Sequence, residues 1–312
     1  MPTTKGLEAV VVKSTGSWYT VMTTDGHLLE SRIKGKFRTK DIKTTNPIAV
    51  GDRVEIMMEP DQQTAVIVSL RDRRNYIIRK SVNLSKQAHI LAANLDQALL
   101  VVTLASPPTS LGFIDRFLVT AEAYDIPAML VFNKLDLFSE EGLEILEDYR
   151  AIYERLGYPT FEVSALEKTN VSLLLAALHE KTTLIMGHSG VGKSTLINSL
   201  IPSAQQKTAN ISAWSDKGKH TTTFAEMIPL EGGGYLVDTP GIREMGIVDI
   251  EPQELGHFFP EMRELMHQCR FNDCRHINEP GCAVLTALEE GLIEPSRYDS
   301  YLSIYHGNDT RA

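Results

Sequence analysis

The stretch Gly187-His188-Ser189-Gly190-Val191-Gly192-Lys193-Ser194 combines glycines, a lysine and a hydroxyl at the spacing of a phosphate-binding loop. It follows the apolar run Thr183–Met186 and precedes the helical pattern Thr195–Leu200, the strand–loop–helix setting such a loop requires. Glycines let backbone N–H groups turn inward around a β-phosphate, and the helix N-terminus adds its dipole. Lys193 contributes a point charge, and the Ser194 hydroxyl suits Mg²⁺. Residues Gly187 to Ser194, with Thr195, are therefore the expected phosphate site. A second motif, Asn133-Lys134-Leu135-Asp136, ends the run Ala128–Phe132, where a strand's carboxyl end delivers side chains to a ligand crevice. Its aspartate can accept from both N1–H and the exocyclic amine of guanine. Adenine, with an acceptor at N1 and no 2-amino group, would leave that carboxylate unsatisfied. Guanine is the expected base. Ser164-Ala165, after Thr160–Val163, would bring a backbone N–H near guanine O6.

Two further segments suit the terminal phosphate. Asp238-Thr239-Pro240-Gly241 follows the strand-like Tyr235–Val237, so Asp238 is expected to hold Mg²⁺ through water and the Gly241 N–H to meet the γ-phosphate. Thr221-Thr222-Thr223 lie between this segment and the phosphate loop. One of them is expected to close over the metal, with Thr222 the candidate counted beside Gly241. Ile242 stands where many nucleotide hydrolases of this kind carry the glutamine that orients water, so unaided hydrolysis is expected to be slow.

These loops need elements to hold them. From Leu7 to Leu70 the sequence shows five short β-type runs: Leu7–Lys13, Trp18–Thr23, Leu28–Ile33, Arg53–Met58 and Ala65–Leu70. They suggest a small oligonucleotide-binding (OB) barrel, with an SH3-like barrel reading much the same and Trp18 expected in the core. Residues 71–90 are polar and basic and read as a linker. From Leu91 the rhythm becomes strand then helix, with Gln97–Leu104, Gly112–Tyr124, Ala128–Phe132 and Ser139–Leu156 implying a parallel sheet covered on both faces. After Gly246 the helical patterns Pro252–Gln268, Ala283–Gly291 and Pro295–Tyr305 take over. The expected fold class is thus multidomain α/β: a barrel over 1–75, a linker over 76–89, a nucleotide-binding domain over 90–245 and a helical domain over 246–312.

Composition sets the bounds. The 312 residues, 43% hydrophobic and 23% charged with 21 Gly and 14 Pro, exclude collagenous, low-complexity and wholly disordered classes. The net charge of −9 hides an asymmetry, because residues 1–89 hold 15 Lys/Arg against 9 Asp/Glu while the other 223 hold 16 against 31. Arg32, Lys34, Lys36, Arg38, Lys40 and Lys43 concentrate that excess in one segment suited to a phosphate polyanion, or to a solvated loop. Nothing in the sequence has the apolar length of a membrane span or signal peptide, so no membrane contact and a cytoplasmic address are expected. The three cysteines, Cys269, Cys274 and Cys282, are odd in number and bunched, which favours metal binding over a disulfide framework.

The motif set resembles the circularly permuted GTPases of the RsgA (YjeQ/YloQ) type, which act with the small ribosomal subunit in its late maturation. The order carries the resemblance: Asn133–Asp136, Ser164-Ala165, Gly187–Ser194, the threonines, then Asp238–Gly241, with the base motif first. Permutation makes the segment after Gly241 lead straight into the cysteine-bearing domain, so nucleotide state can move that domain as a lever. Cys269-x4-Cys274-x-His276-x5-Cys282 supplies three thiolates and an imidazole, a full tetrahedral set for structural Zn²⁺. His267 competes as a ligand, and the family pattern selects His276. The resemblance also makes His220 the substitute for the missing glutamine, beside the alternative of a switch-loop histidine facing rRNA or solvent. It implies GTP and GDP as ligands, the small ribosomal subunit and its rRNA as partner and hydrolytic activator, and a monomer when free.

Overall fold

The computed structural model describes residues 6–33, 47–59, 63–80, 88–201, 225–238 and 250–307. The chain divides into two compact units, one made of 1–98, 173–186 and 200–242, the other of 99–172, 187–199 and 243–312. The first opens with β1 (Leu7–Ser14), β2 (Tyr19–Thr23), β3 (Leu28–Ile33), β4 (Arg53–Met58) and β5 (Thr64–Leu70). Their order is β1-β2-β3-β5-β4, and β4 pairs back on β1 from Leu7↔Ile56 to Val10↔Arg53, which closes a barrel. β3 and β5 run parallel and the other barrel pairings are antiparallel, an OB-like arrangement. Alternation builds the core: Ala9 and Val11, Tyr19 and Val21, Val54 and Ile56, Ala65 and Ile67 all point inward. The expectation for Trp18 is overturned. The strand begins one residue later, at Tyr19, and the period of two therefore buries Tyr19 (1% exposed) and leaves Trp18 42% exposed.

The basic segment from Lys34 to Lys43 lies outside the described residues, while Arg32 pairs with Glu59. The stretch read as a linker contains structure: β6 (Tyr76–Lys80) pairs antiparallel with β7 (Ala88–Ala93). Buried Ile77, Ile78, Ile90 and Ala92 account for the pairing, an apolar signal that the surrounding charge concealed. The linker arginines are occupied at home. Arg73 reaches the fully buried Asp52 through Nε–Oδ1 at 2.7 Å and Nη2–Oδ2 at 2.6 Å, and Arg74 donates to Asp96 and to the Leu95 carbonyl.

β8 (Gln97–Val102) is buried along its whole length, as a strand covered on both faces must be, and its run of Ala, Leu and Val supplies the reason. It leads into α1 (Leu111–Ala123), capped by the Ser110 hydroxyl accepting from the Phe113 N–H. Next come β9 (Ala128–Phe132), α2 (Glu140–Arg155), capped by Ser139, and β10 (Thr160–Glu162), which pairs parallel with β9. α3 (Val171–Leu178) precedes β11 (Thr182–Met186), and α4 (Lys193–Leu200) follows the glycine loop. β12 (Glu226–Pro229) and β13 (Tyr235–Asp238) form a hairpin in the first unit, with β13 parallel to β11.

The C-terminal region contains α5 (Pro260–Arg263), α6 (Ala283–Glu289) and α7 (Pro295–Tyr305). The single helix expected over Pro252–Gln268 is instead three short turns, at Leu255–Phe258, Pro260–Arg263 and Met266–Gln268. Pro260 explains the break, since it holds Phe259 extended at φ −109° and ψ 104°. Phe259, Met262, Val284, Ala287, Tyr298 and Tyr301 build a core that also takes in Val119 of α1.

Arg73→Met should cost the barrel about 3–5 kcal/mol, because it strands the buried Asp52 carboxylate. Arg71→Met, which breaks an exposed pair with Glu8, should cost under about 1 kcal/mol. Urea dependence of amide exchange at Val54 and Ile56 separates the two.

Candidate functional site

Asn133 joins the two principal motifs. It leaves β9 with its N–H on the Val102 carbonyl (2.8 Å), and its side chain is buried (2% exposed). Its Nδ2 donates to the Val191 carbonyl at 2.9 Å, inside the glycine loop, and its Oδ1 accepts the Ala165 N–H at 3.0 Å. One amide thereby fixes three loops. Ser164 Oγ donates to Asp136 Oδ1 and accepts the Glu167 N–H at 3.0 Å, so the serine aims the aspartate. Lys134 takes a left-handed φ of 68° and sends Nζ to the Ser106 carbonyl at 2.7 Å.

The glycine loop turns where its residues permit. Gly187 (φ +143°) passes the β8 backbone so closely that a Cβ would sit 2.4 Å from the Val101 oxygen. Gly192 (φ +94°) leaves room for the Asn133 amide, since a Cβ there would lie 2.4 Å from Nδ2. Lys193, at the first turn of α4, donates to the carbonyls of Gly187 and His188, the latter at 3.0 Å. His188 Nε2 lies 2.8 Å from Thr109 Oγ1, and its ring meets Phe113 edge-on at 5.3 Å. Ser194 and Thr195 follow in α4, with Val191 buried and Ser189 and Gly190 exposed. Asp238 closes β13 in register with Ile185 of β11, two residues before Gly187. His220, Thr222, Gly241 and Ile242 lie outside the described residues.

A second cluster lies in the C-terminal region. One ligand atom each from Cys269, Cys274, His276 and Cys282 falls within 4.8 Å of all the others, an arrangement able to hold a metal ion. His276 is buried at a left-handed φ of 57° and turns Nδ1 to the sulfurs, 3.3 Å from Cys282 and 3.6 Å from Cys269. Burial pushes the Cys274 thiol up to about 12, raises Cys282 and lowers His276, so a cation is what would favour thiolates beside a neutral imidazole. His267 is not in the cluster.

Sequence reasoning missed the residues that shape this loop. Glu279 accepts the N–H groups of Arg275, Ile277 and Asn278 at 2.9–3.1 Å. Burial opposes its charge, yet those donors hold its carboxyl down to about 2. From α7, Tyr298 Oη donates to the His276 carbonyl (2.7 Å) and Tyr301 Oη to the Arg275 carbonyl (2.6 Å). A tyrosine pair three residues apart on a helix was the available signal.

Comparison with known proteins places this architecture. The RsgA GTPase family model matches residues 70–248 and the RsgA N-terminal domain model residues 8–67. The chain belongs to the RsgA GTPase family. A Bacteroides fragilis relative named small ribosomal subunit biogenesis GTPase RsgA is 53% identical, with 96% of each chain covered. A Flavobacterium psychrophilum protein of the same name is 51% identical, covering 97% of this chain and 94% of its own. Among solved structures, YjeQ from Thermotoga maritima matches with a TM-score of 0.78 at 35% identity, covering 96% of this chain and 98% of its own. YloQ, described as a circularly permuted GTPase, matches with a TM-score of 0.76 at 30% identity, covering 99% and 97%. The central fold is thus a circularly permuted GTPase and the family's reaction is GTP hydrolysis. Among the described residues no helix is long and apolar enough to cross a membrane.

Two outcomes are expected. Asn133→Ala strands the Val191 carbonyl and the Ala165 N–H at about 1–3 kcal/mol each and should weaken binding of a fluorescent GDP by at least about 10-fold in titration. Glu279→Ala should speed metal loss to a chelator at neutral pH. A carboxyl depressed from 4.5 to about 2 stabilises the fold fully above 4.5 and loses that contribution as pH falls toward 2, so the difference from wild type should stay flat between about pH 6 and 8.

Proposed function

We propose that this chain is a GTPase of late small-ribosomal-subunit maturation, which binds the subunit and hydrolyses GTP under stimulation by the subunit and its rRNA. The observation carrying the nucleotide reading is the Asn133 amide, which holds the base motif against the phosphate loop so that one ligand spans both. The names of the relatives support the ribosomal assignment.

Asp136 accepts from guanine N1–H and the 2-amino group, held in aim by Ser164, while Asn133, Lys134 and Ala165 shape the base site. The backbone of Gly187, His188, Ser189, Gly190, Val191 and Gly192 cradles phosphates, and Lys193 exchanges its carbonyl partners for phosphate oxygens. Ser194 and Asp238, with Thr222, would hold Mg²⁺, which supplies charge neutralisation at the β- and γ-phosphates. Thr195 extends the phosphate contact, and the Gly241 N–H faces the γ-phosphate. With Ile242 in place of a glutamine, His220 orients the water once rRNA is engaged. An activator of this type contributes roughly 10³–10⁵ in rate, or about 4–7 kcal/mol. The set Cys269, Cys274, His276 and Cys282 holds one structural Zn²⁺, because three thiolates and an imidazole leave no position for water. The barrel supplies an rRNA-binding surface, and the free protein is monomeric and cytoplasmic.

GTP turnover with and without purified small subunits tests the reading, and absence of stimulation would refute it. His220→Ala should lower stimulated turnover by at least about 10-fold while GDP affinity holds. Asp136→Asn replaces an acceptor with a donor, so affinity should pass from guanine to xanthine nucleotides, with GDP weakened by about 10⁴-fold on the scale of a lost buried match.

A further inference from the structure

α7 sends side chains in two directions. Tyr298 and Tyr301 hold the carbonyls of His276 and Arg275 in the metal loop. Arg297 (1% exposed) instead reaches α1, where Nη1 meets the buried Asp115 Oδ1 at 2.7 Å. Its other face engages Glu261 through Nε–Oε1 at 2.7 Å and Nη2–Oε2 at 3.2 Å, and its guanidinium lies 4.7 Å over the Phe259 ring. Tyr153 Oη donates to the same Asp115 oxygen at 2.9 Å, so the joint is held from α2 as well. A second tie follows along α1, from Arg263 Nη1 to Glu122 Oε2 at 2.9 Å, and Val119 between them belongs to the C-terminal core.

The opposite end of α1 meets the phosphate loop. Thr109 Oγ1, just before the Ser110 cap, accepts the Thr103 N–H at 3.1 Å and lies 2.8 Å from His188 Nε2. His188 Nδ1 faces the Ser189 carbonyl at 3.2 Å, and because a carbonyl can only accept, Nδ1 is the nitrogen that donates there. Phe113, one turn into the helix, packs edge-on against the same ring. A continuous run of contacts, buried at Arg297 and Asp115 and half-buried at His188, therefore leads from the metal loop through α7 and α1 to Thr109 and the phosphate loop.

We propose that Arg297 and Asp115 are positioning residues that couple the metal loop to the phosphate loop through α1, so that zinc and guanine nucleotide each strengthen the hold on the other. This rests on the nucleotide and zinc assignments above. Linkage requires the effect to be reciprocal, at roughly 5- to 150-fold for couplings of this kind.

The test uses the full-length, zinc-loaded protein. Zinc transfer to a chromogenic chelator is timed with and without GDP, at GDP concentrations well above the dissociation constant measured for each variant. Wild type should release zinc at least about 5-fold more slowly with GDP. Thr109→Val, which removes the hydroxyl facing His188 and leaves the metal loop and α7 untouched, should reduce that protection to under about 2-fold. The paired change Asp115→Asn with Arg297→Gln should do the same while retaining one zinc per chain. Unchanged zinc release in wild type at saturating GDP would overturn the proposal, as would full protection in Thr109→Val, which would mean global stabilisation instead of this route. Absence of GDP uptake would overturn the nucleotide reading and the coupling together, whereas uptake without protection removes the coupling alone.

Discussion

A buried carboxamide that donates to one loop and accepts from another is the constraint around which the nucleotide site is arranged. Asn133 can serve Val191 and Ala165 together only if β9 delivers it at a fixed height and the chain beneath Gly192 carries no side chain. The first condition is met by the uninterrupted packing of β8 and β9, the second by glycine. An aspartate at this position would bring a charge to a nearly sealed location with no donor for the Val191 carbonyl, and an alanine would leave two backbone groups without partners. The asparagine of a base-recognition motif therefore acts here mainly on protein, and the neighbouring Asp136 is held by the Ser164 hydroxyl.

The C-terminal region shows the same economy in different chemistry. The metal loop has little apolar surface of its own and is shaped by hydrogen bonds: one carboxylate gathers three N–H groups, and two phenols reach two carbonyls. Each partner comes from within the region, so the clustered cysteines and histidine are presented by a framework that shares its core with α1. Burial works against the Arg297 charge, but the Asp115 and Glu261 carboxylates prevail and push its guanidinium further toward the charged state. A buried ion pair of this type adds little net stability over an apolar isostere but penalises every misaligned alternative, which makes it a device for orientation.

What the sequence disclosed depended on whether a signal was local. The barrel strands followed from period-two alternation, and the loop at Gly187–Ser194 from the need for backbone N–H groups around phosphate. The cysteines of the candidate metal cluster were legible because all three stand within fourteen positions, whereas the choice of His276 over His267 came from the family resemblance. Trp18 falls outside the core because β2 begins at Tyr19, which takes the inward position, and nothing nearby in the sequence fixes that phase. The pair β6–β7 was hidden by arginines whose partners, Asp52 and Asp96, lie about twenty residues away in opposite directions. Asp115, Thr109 and Tyr298 were invisible for the same reason, since a lone buried acid or hydroxyl acquires meaning only from its partner across the fold.

The second unit draws on three stretches of chain, and Asp115 waits for an arginine 182 residues downstream. During synthesis that carboxylate must stay hydrated long after α1 has emerged, because burying it alone would be prohibitive. Closure over such a separation is entropically expensive and tends to be slow. The pair thus ties the two ends of this unit together in folding: until α7 is in place, Asp115 lacks its guanidinium partner and Val119 lacks the aromatic core built by Phe259 and Tyr301.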